Sequence, residues 1–143
     1  LGLILGGAKE EDIKHLEDIL LNVGIAFQIK DDLLGIYGDQ NHIGKSTNSD
    51  IEEYKQTILY SYVMNTNYKD ELLTYYGKAH LTEENIEKVK KIFEISGAKQ
   101  YATNTMDKLF ETSLDAIKNI DFISDQNKKI LSGFVTYLKN RSK

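Results

Sequence analysis

Cysteine, proline and tryptophan are all missing from this sequence. Without cysteine there is neither a disulfide framework nor a thiolate metal site, so nothing points to an oxidising compartment and a cytoplasmic protein is expected. Without proline, and with heavy use of leucine, isoleucine, lysine and glutamate, the chain favours helices over a turn-rich β-architecture; an all-α fold is the expectation. Basic residues are outnumbered, 18 against 22 acidic ones, for a net charge of −4. No stripe gathers the lysines, which argues against general binding to nucleic acid or anionic membrane. Residues 1–8 are apolar and glycine-spaced, but too short to span a bilayer and without the basic start of a signal peptide. His15, His42 and His80 are scattered and form no metal-ligand spacing.

What remains is a chain of 143 residues, 41% hydrophobic, that can bury one sizeable core. A single helical domain over residues 1–143 is expected. An opening inside an apolar run, with no initiator methionine, reads as the C-terminal part of something longer whose other portion would cover that surface. Residues 1–8 read as the end of a packed helix closed by Gly6 and Gly7, and residues 10–37 as one long amphipathic helix. Residues 38–50 are the one substantial loop. A helix over 51–76 buries Ile51, Tyr54, Ile58, Tyr62 and Val63 and stops at Gly77. Thr82 caps a helix to Ile95 with Ile86, Val89, Ile92 and Phe93 inward, and Gly97 breaks the pattern. A helix over about 98–120 presents Tyr101, Met106, Leu109, Phe110, Leu114 and Ile117. Ser124 caps the last, to Arg141, with Ile130, Leu131, Phe134 and Leu138 inward.

The chain is organised around residues 24–39. Stepping about 100° per residue, Leu16, Leu20, Val23, Phe27 and Leu34 share a stripe, and Asp31 falls inside it with Gln28 and Asp32 at its edge. An ionised carboxylate aimed inward is costly unless a cation, a paired charge or a wet cavity receives it. Asp31 and Asp32 are readable as an ordinary helix-end acidic pair, or Asp31 as the partner of a core lysine. Gly24 and Gly35, each costing about 1 kcal/mol against alanine inside a helix, suggest close approach of something.

Three chemistries compete for the following loop. Gly44, Lys45 and Ser46 have the end of a phosphate-binding loop, but its earlier glycine would fall at Asp39 and no strand precedes it. Asp39, Asn41, Gly44 and Asp50 stand at the first, third, sixth and twelfth places of a calcium loop; Ile43 at the fifth place and aspartate at the twelfth tell against it. In the third reading Asp31 and Asp32 hold Mg²⁺ while Lys45 and Lys55 meet the anion that the metal also touches. This suits a hard ion that takes one or two carboxylates and completes its shell with water and phosphate. Taken singly, Lys45 and Lys55 are also readable as solvated surface lysines.

The run Phe27, Gln28, Ile29, Lys30, Asp31, Asp32, Leu33, Leu34, Gly35, then Gly38-Asp39, Gly44-Lys45, Ser49-Asp50-Ile51 and Lys55-Gln56-Thr57, resembles the second aspartate-rich region of the trans-isoprenyl diphosphate synthases, the polyprenyl synthetase family. Weaker likeness continues through Ile95 to Ala98 and Tyr137 to Lys143, but only to the C-terminal half of that family. The resemblance implies an isoprenoid-synthase helical bundle with a central cavity, and condensation of an allylic diphosphate with isopentenyl diphosphate. It implies that Asp31, assisted by Asp32, binds Mg²⁺, that Lys45 and Lys55 meet the diphosphate, that Gln28 faces the cavity, and that Arg141 or Lys143 helps hold isopentenyl diphosphate. Gly35 stands where the third aspartate of the usual pattern is expected, leaving Asp39 to compensate. The first aspartate-rich motif is absent, so the resemblance implies an inactive chain unless the N-terminal half joins it, and a homodimer. The alternative is a non-catalytic helical interaction module with the same fold.

Overall fold

In the computed structural model, residues 9–38 and 49–141 are described. Among them the elements are helices α1 (Glu10–Tyr37), α2 (Ser49–Glu52), α3 (Ile58–Val63), α4 (Lys69–Leu73), α5 (Glu83–Ile95), α6 (Ala98–Lys118) and α7 (Asp125–Asn140), with no strand. The expected helix end at residues 1–8 and most of the loop over 38–50 lie outside the described residues. No described helix is long and apolar enough to cross a membrane.

The chain divides into two compact units. One contains the described residues of Leu1–Phe27 and Met106–Arg141. Its core joins Ile19, Val23 and Ala26 of α1 to Phe110, Ile117, Ile120 and Val135, with Leu16, Met106, Leu131 and Leu138 packed around them. Each large side chain buried there contributes about 1.5–3 kcal/mol by leaving water. The other unit contains Gln28–Thr105. In it α5 packs against α3 and α4, and Ile86, Val89, Ile92 and Phe93 are all buried, as their spacing dictates. Tyr37, at the end of α1, donates from its hydroxyl to the Lys90 carbonyl at 3.2 Å and carries the Lys99 ammonium 4.1 Å from its ring centroid.

The punctuation follows local chemistry. Thr82 and Ser124 accept hydrogen bonds from the backbone N–H groups of Asn85 and Asn127, each at 3.1 Å, and so begin α5 and α7. Gly77 and Gly97 take left-handed backbone, φ 82° and 91°. The single helix expected over 51–76 is instead three short ones. α2 closes in a Schellman turn: Lys55 N–H reaches the Asp50 carbonyl at 3.0 Å and Tyr54 N–H the Ile51 carbonyl at 3.3 Å. Tyr54 holds the left-handed position, φ 57°, that glycine ordinarily fills. Thr57 then caps α3, accepting from Tyr60 N–H at 3.2 Å.

Several faces differ from the simple stripes. Leu20, Tyr54, Tyr101, Ile130 and Phe134, expected inward, are exposed, and Val135 is the buried residue of α7. On α1 the buried residues are Ile19, Val23 and Ala26 in the first unit and Ile29, Asp32 and Ile36 in the second; Val23 keeps its expected place, Leu20 and Phe27 yield to Ile19 and Ala26, and Asp31 yields to Asp32. Apolar residues occupy more than one side of α1, so periodicity alone leaves its rotation open.

The two glycines of α1 part company here. A Cβ on Gly24 would meet nothing within 4 Å, contrary to the expectation of close approach, whereas one on Gly35 would collide with the Asp50 carboxylate. Gly24→Ala should therefore stabilise the chain by about 0.5–1 kcal/mol, and Gly35→Ala should destabilise it by about 1–3 kcal/mol, as read by denaturant unfolding. Equal effects of the same sign would contradict this placement.

Candidate functional site: a buried carboxylate pair and its lysine

Asp32 is carried inward on α1 by Ile29 and Ile36, which lie one turn to either side and are themselves buried. One turn before it, Gln28 donates from Nε2 to Asp32 Oδ1 at 3.1 Å. Asp50, on the short α2, is 2% exposed and occupies the space that the missing Gly35 side chain leaves. Lys55 enters from the turn after α2. Its Nζ lies 3.3 Å from Asp32 Oδ1 and 3.8 Å from Asp50 Oδ2. Two buried carboxylates thus share one half-buried ammonium.

Burial pushes the Asp32 carboxyl above its ordinary value of 3.8, opposed by the Gln28 hydrogen bond and then by the Lys55 charge; the nearby Asp50 adds to the rise. A group with a raised folded-state pKa stabilises the fold below its unfolded value, and that contribution is lost as pH climbs through the folded one. The ionised Asp32 is consequently a strained charge that a second cation would relieve.

Among the residues expected to act, Asp32, Gln28 and Lys55 come together in one cluster. Asp31 is half-buried beside it rather than the inward member of the pair; Asp32 has that place because the second unit buries the side of α1 that carries Ile29 and Ile36. Gln28 spends its amide on Asp32. Arg141 belongs to the first unit, its guanidinium 4.5 Å from the centroid of the Phe27 ring. Asp39, Lys45 and Lys143 lie outside the described residues. Asp50 was legible as the twelfth place of a calcium loop and as part of the Ser49-Asp50-Ile51 element of the family likeness, but not as a partner of Asp32; its membership depends on an empty Gly35 site fifteen residues away, which no local pattern signals.

Among the described residues no group of three or more histidine, aspartate and glutamate side chains converges as a metal cage. The donor set nonetheless suits a hard cation that shares its shell with phosphate: Asp31, Asp32 and Asp50 offer oxygen only, and such an ion needs one or two carboxylates from the protein.

The sequence profile of the polyprenyl synthetase family matches residues 1–95, and the chain belongs to that family. It is 29% identical over 143 residues to the geranylfarnesyl diphosphate synthase of Aeropyrum pernix, covering 100% of this chain and 45% of that protein. To the geranylgeranyl diphosphate synthase of Saccharolobus solfataricus it is 32% identical over 146 residues, covering 100% of this chain and 44% of that protein. Its fold matches a solved geranylgeranyl pyrophosphate synthase from Corynebacterium glutamicum, complexed with isoprenyl diphosphate and magnesium. The TM-score is 0.81 and the identity 26%, over 94% of this chain and 39% of that one. The chain thus spans about 45% of the length of the curated relatives it matches.

Asp32→Asn removes the strained charge while nearly keeping the shape. In buffer free of divalent cations, wild type should lose stability relative to Asp32→Asn as pH rises from about 3 to about 7. A stability gap that does not change with pH would contradict the burial of an ionised Asp32.

Proposed function

We propose that this chain carries the second metal-and-diphosphate site of a prenyltransferase that condenses an allylic diphosphate with isopentenyl diphosphate. The observation that carries the reading is the meeting of Asp32, Asp50 and Lys55, beside Asp31, on the segment whose motif the family resemblance rests on. Asp31 and Asp32 hold Mg²⁺, with Asp50 supporting Asp32 in the place of a third motif aspartate and Asp39 available from the loop. Lys45 and Lys55 meet the diphosphate oxygens as point charges. Arg141 and Lys143 assist with isopentenyl diphosphate. Gln28 orients Asp32 and borders the prenyl chain.

Magnesium, when bound, neutralises charge on the departing diphosphate and so lowers the barrier to its loss. The residues do the rest. Asp31 and Asp32 fix the position of the diphosphate head, and Lys55 turns from the carboxylates toward the oxygens that gain negative charge as the carbon–oxygen bond breaks. Exclusion of water keeps the allylic cation for the alkene of isopentenyl diphosphate, which attacks it and then gives up a proton. Because the relatives are more than twice as long, the activity is assigned to this chain together with an N-terminal half carrying a second aspartate-rich motif, working as a homodimer.

A non-catalytic interaction module is the second reading. It is favoured by Ile130, Phe134 and Tyr137, exposed at helical spacing on α7. Transfer assays on the complete protein decide between the two. Asp31→Ala should lower turnover at least about a hundredfold with helix content unchanged. A mild loss, or no turnover by the complete protein, would favour the module.

A further inference from the structure

The lysine of the site projects from a turn rather than from a helix, so its reach depends on what holds that turn. Residues 53–56 lie between α2 and α3, and residues 76–81 tie both this turn and the end of α2. Tyr76 donates from its hydroxyl to the Lys55 carbonyl, Gly77 N–H reaches the Ile51 carbonyl at 2.8 Å, and Leu81 N–H reaches Glu52 Oε1 at 3.4 Å. The Tyr76 side chain is 2% exposed and wedged in an aromatic cluster. It stacks on Tyr60 with centroids 4.9 Å apart, and meets Tyr54 and Phe93 edge-on at 5.6 and 6.4 Å.

Tyr54 is the costly member. Left-handed backbone costs a residue with a Cβ roughly 1–2 kcal/mol, and glycine would hold the position freely. Its ring meets Tyr60 edge-on at 5.2 Å, and the two hydroxyls stand 2.5 Å apart. Aromatic pairs contribute about 0.5–1.5 kcal/mol each beyond their burial, enough to offset the strain. The turn that presents Lys55 is therefore held in a conformation its own sequence disfavours.

We propose that Tyr76 is a positioning residue for the site: through the Lys55 carbonyl, its hydroxyl fixes the turn so that the Lys55 ammonium meets both carboxylates and, on ligand binding, the diphosphate. Burial raises the Tyr76 phenol well above its ordinary value, with the Asp50 and Asp32 charges adding to the rise, so the hydroxyl remains a donor throughout the neutral range. This role rests on the diphosphate reading given above. It assigns to the tyrosines of residues 54–76 a task beyond packing.

The test is calorimetric titration of the chain with inorganic pyrophosphate in the presence of Mg²⁺, with helix content followed by circular dichroism. Tyr76→Phe keeps the ring and should weaken binding about five- to tenfold, the equivalent of one hydrogen bond. In a Lys55→Met background the same change should alter affinity less than about twofold, because the residue it acts through is gone. Tyr62→Phe, which removes a hydroxyl from the separate Tyr62–Tyr101 ring pair and does not touch the turn, should also stay within about twofold. Additive losses in the double variant, or equal losses for Tyr62→Phe, would overturn the positioning role. So would loss of helix content in Tyr76→Phe, which would assign the hydroxyl to the fold at large. Absence of binding by the unaltered chain would instead sink the diphosphate reading and this inference with it, a result distinguishable from the others.

Discussion

A carboxylate held inside a helical protein needs a cation within reach, and the Asp32 carboxylate has Lys55 at 3.3 Å. Much of the second unit is arranged around that contact. Gln28 supplies a hydrogen bond from the preceding turn, and Gly35 makes room for Asp50. α2 is cut short by a Schellman turn so that Lys55 faces back toward α1 instead of continuing a helix. The tyrosine cluster then keeps that turn in place.

The same contact links stability to function. Asp32 and Asp50 both face the Lys55 ammonium, and burial raises the Asp32 carboxyl, so the ionised Asp32 is held at a cost. A divalent ion that shares its shell with a diphosphate, as proposed above, would lower that cost. Membership of the polyprenyl synthetase family supports that proposal.

Much of the fold was legible in the sequence because it depends on neighbours. The span of α1, the Thr82 and Ser124 caps, the buried face of α5 and the stop at Gly97 each follow from residues within a turn or two. What escaped depends on distant contacts. Apolar residues on several sides of α1 let Asp31 and Asp32 exchange places in a periodic reading, and only the packing of the second unit selects Asp32. Nothing near Tyr54 announces a left-handed residue, because the rings that hold it come from positions 60 and 76. The exposed Ile130 and Phe134 obey helical spacing as well as Val135 and Leu138 do, so spacing could not choose between faces of α7. In the site, Asp32, Gln28 and Lys55 came from the motif, while Asp50 required knowing that Gly35 leaves a hole.

If the acid pair and its lysine receive metal and diphosphate jointly, calorimetry of the chain with Mg²⁺ alone, pyrophosphate alone, and both together should separate the cases. Either component by itself should bind weakly or not at all and the pair at least about tenfold tighter, with the synergy abolished in Asp31→Ala and Asp32→Ala. Binding of either component that is indifferent to the other, or synergy that survives loss of both acids, would contradict a joint site.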